Sequence, residues 1–306
     1  MVRAQFLIGI VFPLTIGTLI SVLITGSLRV WNFILVLIIG LGLHLATDVY
    51  NDIYDTLQGA DTPSSNTRNV MSGGSGLLLQ HPDLLPQLYR IARFGLVLSF
   101  VALIALFLLF TIELLLWPFI IFIYAAAAFL SKYYTAAPIK LGYRGYGEIL
   151  IWLSFGPMAI FLAALSQNIG YDPLYFSVMS ITGFSTLTIL WIGQLIDFED
   201  DQQAGKQGMA IRLGKKRAIA GYMIIQLCII INIIILGLFV FHPGWPLLFS
   251  LIPYAVLFPR ISKRLTRTYD NASMLCPVGW WNALLYGTFN LVLILGLATI
   301  VGLKIL

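Results

Sequence analysis

Apolar positions in this chain come in long unbroken runs separated by short polar segments. The runs are roughly 18–22 residues each, enough to cross about 30 Å of hydrocarbon as helices. Backbone amides in lipid must be paired within the spanning structure, and without period-two alternation a barrel is ruled out. The pattern predicts nine spans. The first four cover about 6–24, 31 to the polar stretch 47–55, 91–111 and 113–131. The rest cover about 149–166, 174–195, 218–240, 247–259 and 280–303, with a first large loop over about 56–88. The fold class expected is an all-α polytopic membrane protein, one domain over residues 1–306. The first apolar run is long and has no convincing small-residue cleavage site, so it reads as a helix and not a signal peptide.

Composition agrees with the pattern. Hydrophobic residues make up 59% of the 306 and charged residues 10%, with a mean hydropathy of +0.92. Soluble domains carry about 25% charged residues. The net charge of +5 does not point to nucleic acid, because the basic residues sit between spans. With the N-terminus on the cytoplasmic side, all of the 18 Lys and Arg except Arg29 and Lys304 fall inside. The positive-inside rule thereby sets the orientation and supports the odd span count. Cys228 and Cys276 lack metal-ligand spacing, and His44, His81 and His242 are too scattered to form a ligand set.

Against this background two polar segments stand out. One is DVYNDIYDTLQGADTPSSNTRNVMSGGSG, from Asp48 to Gly76; the other is DFEDDQQAGKQGMAIRLG, from Asp197 to Gly214. They follow the second and sixth spans, an offset of four helices, as if two units each brought one acidic cluster to a shared cavity. Asp48, Asn51, Asp52 and Asp55 share one helical face. Carboxylates stacked at a helix C-terminus repel each other and oppose the macrodipole. Near the bilayer each Asp costs about 2.5–3.5 kcal/mol more on insertion scales. A divalent cation removes these penalties together. Asp197 and Asp201 repeat the spacing, with Glu199 and Asp200 between them. Asp48, Asp52, Asp55, Asp197, Glu199, Asp200 and Asp201 are seven of the 13 acidic residues, too many in two places for ordinary loop solvation. An all-oxygen ligand set favours Mg²⁺, which bridges carboxylates to substrate phosphates.

Cations supply the other half. Arg68 precedes the SGGSG turn, whose glycines let amides approach an anion. Lys132, Lys140 and Arg144 lie in the loop after the fourth span, and Lys206 and Arg212 follow the second cluster. Carboxylates with Mg²⁺ and a ring of Lys and Arg suit a diphosphate leaving group. Lys215, Lys216 and Arg217 read as topological signals.

Three stretches in order carry a resemblance: NDIYDTLQGADT (from Asn51), YTAAPIKLGYRGYGE (from Tyr134), and DFEDDQQAGK (from Asp197) with Arg212-Leu213-Gly214. Together they resemble the UbiA superfamily of intramembrane prenyltransferases, and most closely its 1,4-dihydroxy-2-naphthoate branch in menaquinone and phylloquinone biosynthesis. Asp61, ten residues after Asn51, fits that branch; Gln194 and Gln207-Gly208 depart from the usual pattern. The resemblance implies nine transmembrane helices around a central cavity, capped by cytoplasmic loops. It implies Asp52 and Asp55, with Asn51 assisting, on one Mg²⁺ and Asp197 and Asp201 on a second. It implies Arg68, Lys132, Arg144 and Lys206 on the diphosphate and Tyr134 near the reacting carbon. The implied reaction is ionisation of an allylic isoprenyl diphosphate, followed by attack of an electron-rich aromatic acceptor. Tyr133, Tyr134, Trp152, Phe155 and Trp191 are candidates to shield the allylic cation. Two alternatives share features: an integral-membrane terpene cyclase of the same fold, and an ion or phosphate transporter. The transporter is disfavoured because the charges sit at span ends and not at the midplane.

Overall fold

The computed structural model describes residues 4–61, 74–110 and 112–305. Among these residues nine helices are long and apolar enough to cross a membrane. The spans are α1 (Ala4–Thr25), α2 (Val30–Leu57), α3 (Leu85–Leu109), α4 (Trp117–Tyr133), α5 (Gly147–Leu153, a π turn Ser154–Met158, then Ala159–Ser166) and α6 (Pro173–Ile196). Two short helices follow, α7 (Phe198–Gln203) and α8 (Met209–Leu213). The last spans are α9 (Lys215–Ile235, prolonged by a π turn Leu236–Val240), α10 (Leu251–Thr268) and α11 (Ala272–Ile305).

Local chemistry explains several boundaries. Asp172 caps α6 by accepting from the Leu174 amide at 2.8 Å, and Pro173 occupies the first turn where its missing N–H costs nothing. Gly26, with φ of 71°, turns the chain between α1 and α2. Pro157 lacks the amide that a regular turn would use, and the helix widens there. Small residues bring α2 and α3 into backbone contact: a Cβ on Gly42 would lie 2.6 Å from the Gly95 carbonyl, and one on Gly95 2.5 Å from the Gly42 carbonyl.

Three boundaries differ from the expectation. Helix α2 runs to Leu57 and the third span begins with a tight turn at Pro82–Leu84, so the connection is shorter than 56–88. The eighth span does not stop near residue 259. It continues through Pro259 to Thr268, because Leu257, Ile261 and Leu265 keep a buried seam at four-residue spacing while Arg260, Lys263 and Arg267 are exposed. The ninth span starts at Ala272 and not near 280.

The buried residues divide into lobes. One packs α2, α3 and α4 with parts of α1 and α5; the other packs α6, α9, α10 and α11 with other parts of α1 and α5. A smaller cluster of Ala46, Val49, Tyr50, Ile53, Leu78, Leu88 and Ala92 lies at one end of the first lobe. At 28 residues α2 is about 42 Å long, more than the hydrocarbon thickness, so its last turns reach the membrane edge. Alternating spans bring the C-terminal end of α2 and that of α6 to the same end of the bundle.

Candidate active site

The two acidic helix ends meet through one lysine. Lys206, in the turn after α7, places Nζ 3.1 Å from Asp55 Oδ2 and 2.9 Å from Asp201 Oδ1. All three side chains are largely buried, with 20%, 8% and 12% of their surface exposed. Burial works to lower the lysine's pKa, but Asp55 and Asp201 outweigh it and hold it well above the ordinary value. Tyr143, from the turn after α4, donates its hydroxyl to Asp55 Oδ1 at 2.6 Å, and the Lys206 ammonium stands 5.1 Å from its ring centroid. Burial and the charge of Asp55 push the Tyr143 hydroxyl pKa up, so it serves as a donor.

One turn earlier on α2, Asp52 is held from the far side of the first loop. The Ser75 amide donates to Oδ1 at 2.5 Å and the Ser75 hydroxyl to Oδ2 at 2.6 Å. Asp61 accepts from the Gly74 amide at 2.5 Å. Burial, with Asp55 adding to it, pushes the Asp61 carboxyl up to about 6, against the lowering effect of the Gly74 amide. The Gly74 and Ser75 amides thus face the chain's own carboxylates, whereas the glycine-rich turn reads from sequence as an outward cradle for an anion.

The second end is built from its own neighbours. Asp197 ends α6 and opens α7, and the Asp201 amide donates to the Asp197 carbonyl at 2.8 Å. Lys215 is paired with Glu199 and is therefore more than a topological signal. Glu148, buried at the start of α5, accepts from the Met209 amide at 2.6 Å and from Gln194 Nε2 at 2.7 Å. It ties α5, α6 and α8 together and carries Lys206 in the loop between.

Asp55, Asp201 and Lys206 are brought into direct contact, with Asp52 alongside and Asn51 half-buried one turn before Asp55. Tyr134, just past α4, lays its ring over Gly142 with its hydroxyl beside Gly147. Burial first and Glu148 second raise its pKa, so its hydroxyl stays protonated. Lys132 stands over the Tyr133 ring at 5.2 Å, and the exposed Arg144 donates to the Pro138 carbonyl at 3.1 Å. Among the described residues neither forms an ion pair with a carboxylate. Arg68 lies outside the described residues. Trp191, a candidate cation shield, donates to the Ala218 carbonyl at 2.8 Å and packs on Gly221, which makes it a bundle residue. Phe155 packs edge-on against His44, and His44 lies 3.5 Å from Asp48. Residue-type reasoning singled out neither Tyr143, Ser75 nor Glu148. Tyr143 stood in plain view between Lys140 and Arg144, but no spacing rule links it to Asp55.

Among the described residues no three His, Cys, Asp or Glu side chains are gathered closely enough to enclose a metal ion. The chemistry nevertheless suits one. The donors are carboxylate oxygens from two helix ends, and an ammonium already sits between them as a cation.

Nine spans in two lobes, with a dense polar focus at one end, define a multi-pass integral membrane protein. The chain belongs to the UbiA prenyltransferase family, whose description it matches over residues 10–284, and it is a prenyltransferase. It is similar to the 2-carboxy-1,4-naphthoquinone phytyltransferase of Synechocystis sp., 25% identical over 250 residues, 80% of this chain and 76% of that one. It is also similar to the 1,4-dihydroxy-2-naphthoate octaprenyltransferase of Mycobacterium leprae, 26% identical over 212 residues, 69% of this chain and 67% of that one. Among solved structures, the apo UbiA homolog from Aeropyrum pernix K1 superposes with a TM-score of 0.70 at 16% identity, covering 96% of this chain and 99% of that one. A UbiA homolog from Archaeoglobus fulgidus, bound to DMAPP and Mg²⁺, gives 0.59 at 14%, covering 96% and 97%. At these identities the solved structures speak for the fold.

Proposed function

We propose that this protein transfers a prenyl chain from an allylic isoprenyl diphosphate to an aromatic acceptor of the 1,4-dihydroxy-2-naphthoate class, with Mg²⁺, at the cytoplasmic face of a membrane. The observation that carries the reading is the Asp55–Lys206–Asp201 bridge, which brings both acidic helix ends to one point. Asp52 and Asp55 would hold one Mg²⁺ and Asp197 and Asp201 a second, and bound metal would offset the charge of the departing diphosphate. Lys206 has three N–H donors; its two carboxylates take two, and the third is available to a phosphate oxygen. Arg68, Lys132 and Arg144 would complete the anion contacts from the surrounding loops.

In the reaction the allylic C–O bond breaks and diphosphate leaves with the bonding pair. The ring carbon of the acceptor forms the new C–C bond, and the ring regains aromaticity by losing a proton or, at a carboxylated carbon, carbon dioxide. Tyr134 would stand neutral beside this point, and Phe155 and Trp152 would help to exclude water from the allylic cation. The prenyl tail needs no polar recognition and can extend between helices toward lipid. The cytoplasmic placement is supported by the concentration of Lys and Arg in the segments that carry both carboxylate groups. The Synechocystis and mycobacterial relatives, by their names, act on naphthalene-ring substrates, which supports the acceptor class.

The test is to incubate purified protein with geranylgeranyl diphosphate and Mg²⁺, with and without 1,4-dihydroxy-2-naphthoate. Acceptor-dependent release of diphosphate with a prenylated naphthol is expected. Release of a hydrocarbon without acceptor would instead make it a cyclase, and no release with naphthoate, hydroxybenzoate or homogentisate would overturn the reading.

A further inference from the structure

The first carboxylate group is organised by a dipeptide that no sequence pattern assigns to it. Ser75 gives Asp52 two donors at once, its amide to one oxygen and its hydroxyl to the other. The hydroxyl direction is set, because Ser75 Oγ itself accepts from the Leu77 amide at 3.1 Å and so directs its own hydrogen at Asp52. Gly76, at φ of 68°, turns the chain into the Leu77–Gln80 helical turn, and Leu78 is buried in the cluster with Val49, Tyr50 and Ile53 of α2. The serine is therefore anchored to the same helix whose carboxylate it grips. Gly74 completes the arrangement. Its amide holds Asp61, and a Cβ there would overlap the Asp61 carboxylate and come within 3.0 Å of Asp52 Oδ1. Only glycine lets the loop lie this close to both acids.

We infer that Gly74-Ser75 is the positioning element for the first metal site: it fixes the rotamer and oxygen directions of Asp52 that a divalent cation requires, while holding Asp61 beside it. This rests on the reading of Asp52 as a metal ligand. Hydrogen bonds to ligating groups hold their orientation, and their loss typically lowers metal affinity about 10- to 100-fold. Ser75 does not touch the reacting atoms. It acts through Asp52, while Gly74 acts by leaving room.

The experiment measures Mg²⁺ binding without prenyl substrate, by calorimetry on the purified full-length protein in detergent, with Mn²⁺ spectroscopy as a second probe. Ser75→Ala keeps the amide and loses the hydroxyl, and should weaken Mg²⁺ by about 10-fold; Gly74→Ala should weaken it by about 100-fold. Ser75→Thr, which restores the hydroxyl, should recover most of the loss. In turnover assays Ser75→Ala should raise the Mg²⁺ concentration for half-maximal rate far more than it lowers kcat at saturating Mg²⁺. Asp52→Ala separates the two claims. If Asp52→Ala leaves Mg²⁺ binding intact, the ligand assignment fails and takes this inference with it. If Asp52→Ala abolishes binding at the first site but Ser75→Ala and Gly74→Ala both bind like the parent, the assignment stands and the positioning role is overturned. Should Ser75→Ala not fold, Gly74→Ala still decides: weakened binding supports the positioning role and parental binding overturns it.

Discussion

The two acidic helix ends do the same electrostatic job with different materials. At the end of α2, Asp52 and Asp61 are satisfied by neutral donors from Ser75 and Gly74, and Asp55 by Tyr143 as well as Lys206. At the end of α6, Asp201 and Glu199 are satisfied by ammonium groups further along the same stretch of chain, Lys206 and, 16 residues on, Lys215. The first group depends on segments that must travel back across the fold; the second is nearly self-contained. Neutral donors orient a carboxylate without cancelling its charge, so the first end keeps more of its negative charge for a cation. Lysines cancel charge, so the second end is closer to neutral as it stands. Lys206 belongs to both and couples them.

The largest expected effect breaks the symmetry from either side. Asp52→Ala and Asp201→Ala should each cut turnover by at least about 10²–10³-fold, the scale for removing a group that stabilises transition-state charge. Both variants should still insert as helical membrane proteins, checked by circular dichroism in detergent. Near-normal activity in one of them would confine the chemistry to the other end.

Next in size is the link itself. Lys206→Met leaves Asp55 and Asp201 facing each other without their cation, and breaking a buried pair in this way costs about 3–5 kcal/mol. Thermal unfolding in detergent should show the loss, and added Mg²⁺ should return more of it than added Na⁺. Equal responses to the two cations would mean that the two ends do not share a divalent site. The smallest effect is at the Glu199–Lys215 pair, where Glu199 is 46% exposed. Glu199→Gln should cost no more than about 1 kcal/mol, and raised salt should erase the difference.

How far the site was legible depends on distance along the chain. Asp52 and Asp55, or Asp197 and Asp201, are three or four residues apart, and helical geometry places such pairs on one face wherever the helix goes. The Lys206–Asp201 pair is also short-range. Tyr143–Asp55 and Glu148–Met209 join segments far apart in sequence, and each partner alone looks like an ordinary loop or helix-end residue. The run Arg260–Arg267 misled in the opposite direction. Its charges suggested a loop, while Leu257, Ile261 and Leu265 carried the helix onward on the buried side.

The sequence by itself determined the nine spans, the crowding of carboxylates at two of their ends and the collection of cations near them, because each follows from local composition and helical period. Only the tertiary structure decided that Lys206 stands between Asp55 and Asp201, that Tyr143 caps the same carboxylate, and that Gly74-Ser75 folds back onto Asp52 and Asp61. The physical reason is that helix formation and membrane partitioning are additive over neighbouring residues, whereas the partner of a buried charge is chosen by which distant segment the packed bundle brings within about 3 Å.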